Sequence, residues 1–248
     1  MKKIYFLWLR QIKRYLRSRS RIIGSLGQPL LFLLALGYGF GSVFQKAGEG
    51  NYLNFLAPGI IGMSIIFTAI FTGIEIIWDR QFGFLKEMMV APMSRISIMI
   101  GRTLGGATVA TAQGLIVLLI SLLFGFHPYN WFLIIASIPV MFVIALLFTA
   151  LGTMIASFLD DMQGFQLIMN FLVMPLFFLS GALFPLQGLP KVLSIIAQLD
   201  PLSYGIDALR DLLIGASFYG LSFDILILSS VTLIFLFLGS YFFKKIQI

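Results

Sequence analysis

The chain has 248 residues, 59% of them hydrophobic and only 11% charged, with a mean hydropathy of +1.00. A soluble domain carries about a quarter charged residues, and ten acids with 17 bases cannot furnish the polar surface a soluble protein of this size needs. A soluble globular protein is therefore excluded and an integral membrane protein expected, while the lack of cysteine excludes disulfides, thiolate catalysis and cysteine-ligated metals. The net charge of +7 does not signal nucleic acid as a partner. Eight of the 17 bases precede residue 22, and no zinc-ligand set or aromatic-basic surface follows them. Basic residues flanking a membrane span are the better match.

In chain order, "KKIYFLWLRQIKRYLRSRSR" comes first. At helical spacing it places Trp8, Ile12, Tyr15 and Leu16 on one face, with Arg10, Lys13, Arg14, Arg17 and Arg21 largely elsewhere. That is the pattern of an interfacial amphipathic helix that meets lipid headgroups. It is too long and amphipathic for a short signal peptide, and no small-x-small cleavage pattern follows. Six runs then reach the roughly 20 apolar residues a span requires: Ile22–Phe44, Tyr52–Trp78, Ile98–Phe124, Trp131–Phe158, Phe165–Phe184 and Phe223–Phe243. The expected fold is an all-α polytopic membrane protein with a single transmembrane domain over residues 1–248.

Loop charge sets the expected orientation. With the first residue inside, segments 1–21, 79–97, 159–164 and 244–248 hold 13 bases, against three outside: Lys46, Lys191 and Arg210. The positive-inside rule puts both termini in the cytoplasm. Between spans five and six, Pro185–Gly220 is too polar for another span. Its segments "LPKVLSIIAQL" and "SYGIDALRDLL" predict two short helices separated at Pro201, with Asp200 as a cap and Gly215 as a stop: an outer lid or re-entrant hairpin.

No catalytic set emerges. His127 is the sole histidine and is expected to be structural; Asp160 and Asp161 suggest a capped turn rather than a metal site. There is no phosphate loop of the G-x-x-x-x-G-K-[ST] type. Gly37/Gly41 and Gly101/Gly105 have G-x-x-x-G spacing, which permits close helix packing. Glu75, near a span end, needs solvent or a partner. Arg102 sits at similar depth across the loop, so a Glu75–Arg102 pair is expected. Tyr204, Asp207 and Arg210, spaced by three, are candidates for structural support of the outer element or for gating.

One inner segment interrupts the apolar chain: "DRQFGFLKEMMVAPMSR", Asp79–Arg95. Phe82, Leu85, Met88 and Met89 form a helical stripe, and Pro92 ends it. The segment resembles the signature of the ABC-2 type permeases, written around E-R-E-x-G-T-L-E-x-L-L-x-T-P. Asp79-Arg80 stand at the acidic-basic pair, Gly83 at the glycine, Leu85 at the leucine and Glu87 in the following acidic neighbourhood. Met88-Met89 match the paired leucines and Ala91-Pro92 the threonine-proline turn. Phe84 and Lys86 depart from the usual threonine and glutamate. Gly181–Gly215 is similar to the family's segment before its last span, including P-L-[ST]-Y-x-x-[DE]-x-[IL]-R.

The resemblance implies a drug- or antibiotic-type exporter subunit. Two such permeases, identical or related, would pair with two cytoplasmic ATPase subunits that hold ATP and magnesium. This chain would bind no cofactor itself. Residues 79–95 would carry the coupling helix, with Arg80, Phe82, Gly83, Leu85, Glu87, Met88, Met89 and Pro92 at the ATPase contact. The implied location is a prokaryotic inner membrane, with lipid and an amphiphilic small molecule as further partners. An ion-coupled secondary transporter would need deep carboxylates, for which Glu75 is the one candidate. A channel, a non-transporting membrane scaffold and a membrane enzyme complete the competing readings; the enzyme would need a converging acid, base or metal set.

Overall fold

A computed structural model describes residues 2–41, 44, 51–84 and 94–243. Among these residues the structure is helical, with no strand. The helices are α1 (Lys2–Arg17), α2 (Arg19–Gly39), α3 (Tyr52–Phe71), α4 (Ile74–Gln81), α5 (Arg95–Leu123), α6 (Trp131–Ala156), α7 (Met162–Leu179), α8 (Lys191–Leu199), α9 (Pro201–Ile214) and α10 (Leu221–Phe243). Six of the rods they build are long and apolar enough to cross a membrane: α2, α3 continued by α4, α5, α6, α7 and α10. Each begins and ends within five residues of the span its apolar run predicts.

The middle of the bundle is α3, buried at every position from Leu56 to Ile66. It packs on α2, α5, α6, α7 and α9. Small residues permit the close crossings. A Cβ on Gly73, between α3 and α4, would lie 2.5 Å from the Gly152 carbonyl oxygen of α6. One on Gly152 would lie 2.6 Å from the Ile70 oxygen. One on Gly106 of α5 would meet Thr149 and Thr72 at 2.6 and 2.7 Å. α6 therefore crosses at backbone distance where α3 gives way to α4, and α5 lies against the threonines beside that crossing, a packing that small residues allow.

α1 packs along α5. Leu7 meets Gly101 and Gln11 meets Gly105, while the Trp8 indole donates to Thr108 Oγ1 at 3.0 Å and the Tyr15 hydroxyl bonds Gln113. Partners advance together along both helices, so α1 runs beside α5 in the same direction for three turns. Its inward face is Leu7, Gln11 and Tyr15; Leu16, expected on the apolar face, is exposed. The Gly101/Gly105 spacing is thus a real contact motif whose partner is α1. Of the other pair, Gly37 touches Leu53, and among the described residues Gly41 has nothing within 4 Å of a Cβ position.

The predicted helix pair between the last two spans is present as α8 and α9. Asp200 caps α9, accepting from Leu202 N–H at 2.8 Å, and Gly215 ends it at φ +69. α9 is no surface lid. Leu202 and Ile206 reach Gly62, halfway along α3, and Gly205 abuts Ile144 of α6. The helix is wedged between α3, α6 and α10, a re-entrant element.

Candidate functional site

Two ends of the bundle carry polar structure. At the first, Glu75 and Asp79 lie one turn apart on α4 and share a helix face. Both are buried, at 3% and 4% exposure. A buried carboxylate is tolerable only when paired, and arginines from three other helices supply the pairing. Arg21 of α2 donates to Glu75 at 2.5 Å, and Arg14 of α1 lies 3.6 Å from it. Asp79 accepts from Arg10 at 3.3 Å and from Arg102 of α5, and Arg14 stands 3.9 Å away. The expected Glu75–Arg102 pair is therefore corrected: Arg102 takes Asp79, and Glu75 takes Arg21 and Arg14. Depth alone placed Glu75 and Arg102 together, but the one-turn offset of Asp79 brings its carboxylate to α5. This makes Asp79 a second deep carboxylate beside Glu75.

Arg10, Arg14 and Arg21, expected to face lipid headgroups, turn their guanidinium groups inward to this cluster. Among the described residues, four arginines share two carboxylates. Arg10 also lies over Phe84 at 6.0 Å, and Arg14 over Trp78 at 5.4 Å.

The end of α4 is held on its other side too. Arg80 pairs with Asp160 in the turn between α6 and α7. Gln81 Nε2 donates to the Asp160 carbonyl at 2.9 Å, and the Trp78 indole N–H points at the Met162 sulfur. Neighbouring Asp161 caps α7, accepting from Gln163 and Gly164 N–H at 3.2 and 2.7 Å. Arg80, expected at an ATPase contact, is thus engaged within the chain. Beyond this double anchorage Gly83 turns at φ +80, a conformation that suits glycine, and Phe82 and Phe84 are exposed. Leu85, Glu87, Met88, Met89 and Pro92 lie outside the described residues. The chain re-enters at Ser94, which caps α5 by accepting from Ser97 N–H.

At the opposite end Tyr204, Asp207 and Arg210 each bind backbone. Tyr204 donates to the Gln198 carbonyl at 2.7 Å. Asp207 gathers the N–H groups of Phe218 and Tyr219 and the Ser217 hydroxyl, at 2.7 to 3.1 Å. Arg210 donates to the Gly181 and Ala182 carbonyls at 2.6 and 3.2 Å and stacks 3.9 Å over Phe55. Burial lowers its pKa to about 10, against the pull of Asp207, so it stays charged at neutral pH. Burial raises Asp200 to about 8, only partly offset by the Leu202 N–H. His127 serves its loop: its N–H donates to Asn54 Oδ1 at 3.1 Å, and its ring contacts the Gly125 carbonyl.

Six apolar rods, a re-entrant helix at one end and a doubly anchored connection at the other define a polytopic α-helical membrane protein. The ABC-2 type transporter family matches residues 2–214, and the chain belongs to that family. It is 30% identical over 262 residues to the ycf38 transport permease of Cyanophora paradoxa, covering 99% of this chain and 89% of that protein. The ycf38 protein of Pyropia yezoensis is 30% identical over 225 residues, with 85% and 73% covered. Nodulation protein J of Rhizobium leguminosarum bv. viciae is 28% identical over 198 residues, with 79% and 76% covered. The chain is accordingly a membrane permease of an ABC transporter, and its family implies an ABC ATPase partner.

Proposed function

We propose that the chain is the membrane-spanning subunit of an ATP-driven exporter that moves an amphiphilic molecule (a drug, an antibiotic or a lipid-like compound) outward. Two permease copies, or this chain and a paralogue, pair with two cytoplasmic ATPase subunits. ATP and magnesium bind in those subunits, because this chain carries no phosphate loop. The complex sits in a prokaryotic inner membrane with both termini cytoplasmic, in keeping with 13 bases on that side against three opposite.

The observation that carries this reading is the double anchorage of α4. The segment bearing the family signature leaves the bundle between the Asp79 cluster and the Arg80–Asp160 pair. A push on residues 82–93 by an ATPase would reach α1, α2 and α5 through one anchor and the α6–α7 turn through the other. Phe82, Leu85, Met88 and Met89 supply apolar contact area, worth about 25 cal/mol per Å² buried, and methionine adapts to an irregular groove. Leu85→Asp and Met89→Asp are expected to uncouple ATP hydrolysis from transport while membrane insertion persists. Wild-type assembly and transport in both variants would defeat the assignment.

A further inference from the structure

A half-open cavity of about 390 Å³ lies where the end of α1, the first half of α2 and the second half of α3 meet. That volume falls within the roughly 300–1,000 Å³ usual for small-molecule sites. Its two ends differ. Arg21, which reaches Glu75 one turn beyond Phe71, marks the Phe71 end. Phe67 and Met63 continue the wall along α3, and Met63 lies eight residues from Phe71, about 12 Å along a helix. Phe67 and Phe71 stack nearly parallel, at 13°. Gln28 and Thr68 add neutral hydrogen-bonding groups between the ends. Gly24 lines the cavity on α2: it is exposed, and among the described residues a Cβ there would meet nothing within 4 Å.

The charge in this lining is of one sign. Among the described residues Arg21 is its only ionised side chain, and no acid lines the cavity. Arg21 does contact Glu75, but Glu75 also lies 3.6 Å from Arg14, so two guanidinium groups share that carboxylate. The Arg21 side chain is 32% exposed, and a guanidinium has five N–H donors, so donors remain for a second acceptor. By contrast, the cavity of about 600 Å³ between α5, α6 and α10 has no charged group among the described residues of its lining and could not select a headgroup.

We propose that the α1–α2–α3 cavity binds an acidic amphiphile, its carboxylate or phosphate on Arg21 and its apolar body along Phe71, Phe67 and Met63. The long axis of such a ligand lies along the helices, as a lipid lies in a leaflet. A cationic amphiphile meets Arg21 with no lining acid to compensate. Taking the ligand as cargo rests on the permease reading above; the binding itself does not.

The test uses the full chain in phosphatidylcholine nanodiscs and a dansyl-labelled undecanoic acid, compared with its methyl ester. The acid is expected to bind saturably and at least tenfold more tightly than the ester. Arg21→Gln should weaken the acid about tenfold or more, the loss typical of a charged hydrogen bond, and leave the ester unchanged. Gly24→Leu adds a bulky side chain to the cavity lining and should weaken both. Equal affinity for acid and ester, or unchanged acid binding in both variants, would overturn the proposal. Repeating the titration in phosphatidylglycerol nanodiscs separates the sources of the anionic head. Retained probe binding points to a free amphiphile and displaced probe to a phospholipid, and either result upholds the anionic-head site. No ATPase is present in this assay, so its failure would leave the permease reading standing. Intact binding without any ATP-driven transport would strike that reading alone.

Discussion

Replacing Asp79 by asparagine removes the counter-charge from the most deeply buried guanidinium of the cluster. The Arg102 and Asp79 side chains are 4% and 5% exposed, so solvent does little to screen the pair. Nε and Nη1 of Arg102 are already buried without a hydrogen-bond partner among the described residues, so no second acceptor waits there for it. Breaking one side of such a pair costs about 3–5 kcal/mol, because a charge is left buried alone. Asp79→Asn should therefore lower the unfolding free energy by about that amount in a detergent–SDS titration. Arg102→Met should cost less, since Asp79 keeps Arg10 at 3.3 Å. Asp79→Asn combined with Arg102→Met should recover most of the loss, with a clear coupling energy in the double-mutant cycle. Arg10→Gln should cost less than about 1 kcal/mol, because Arg10 is 41% exposed. An Asp79→Asn protein within about 0.5 kcal/mol of the wild type, or a double variant whose loss is the sum of the singles, would refute the reasoning.

The Gly152→Val protein should fail to give a monodisperse peak in fluorescence-detected gel filtration, since its Cβ would sit 2.6 Å from backbone oxygen of Ile70; Gly24→Ala, which meets nothing, should behave as wild type. Asp200 holds its proton to about pH 8 when folded, against 3.8 for the free side chain, so the folded state binds more protons between those values. Resistance of the α8–α9 element to proteolysis should accordingly fall as pH rises from about 4 to about 8 and level off above. Asp200→Asn keeps an acceptor for Leu202 N–H and should flatten that profile; a flat wild-type profile would contradict the buried carboxyl.

The spans were legible because a run of about 20 apolar residues has few other uses. Caps were legible for a similar reason: Asp200 before Pro201 and Gly215 after a periodic run are local signals, and both stand as read. What the sequence hid were long-range partners. Arg10 and Arg14 carry the same i, i+4 spacing as Glu75 and Asp79, which is a signal of matching faces. Yet nothing local distinguishes an arginine that meets lipid from one that meets a buried acid on a distant helix. The choice of Asp79 over Glu75 for Arg102 depends on a one-turn offset that only the packed helices fix. The depth of α9 was hidden as well. Tyr204, Asp207 and Arg210 are expected to support the outer element, but their spacing does not reveal the carbonyls and loop N–H groups that their polar atoms bond, which lets the face be buried.

Reconstitution tests the account most directly. The chain is placed in proteoliposomes with its partner ATPase, and movement of a fluorescent acidic amphiphile across the membrane is followed. The account predicts movement that requires both ATP and an ATPase with an intact phosphate loop, and that ceases in Leu85→Asp while the complex still hydrolyses ATP. Movement driven by an ion gradient without ATP, or undiminished in Leu85→Asp, would contradict it.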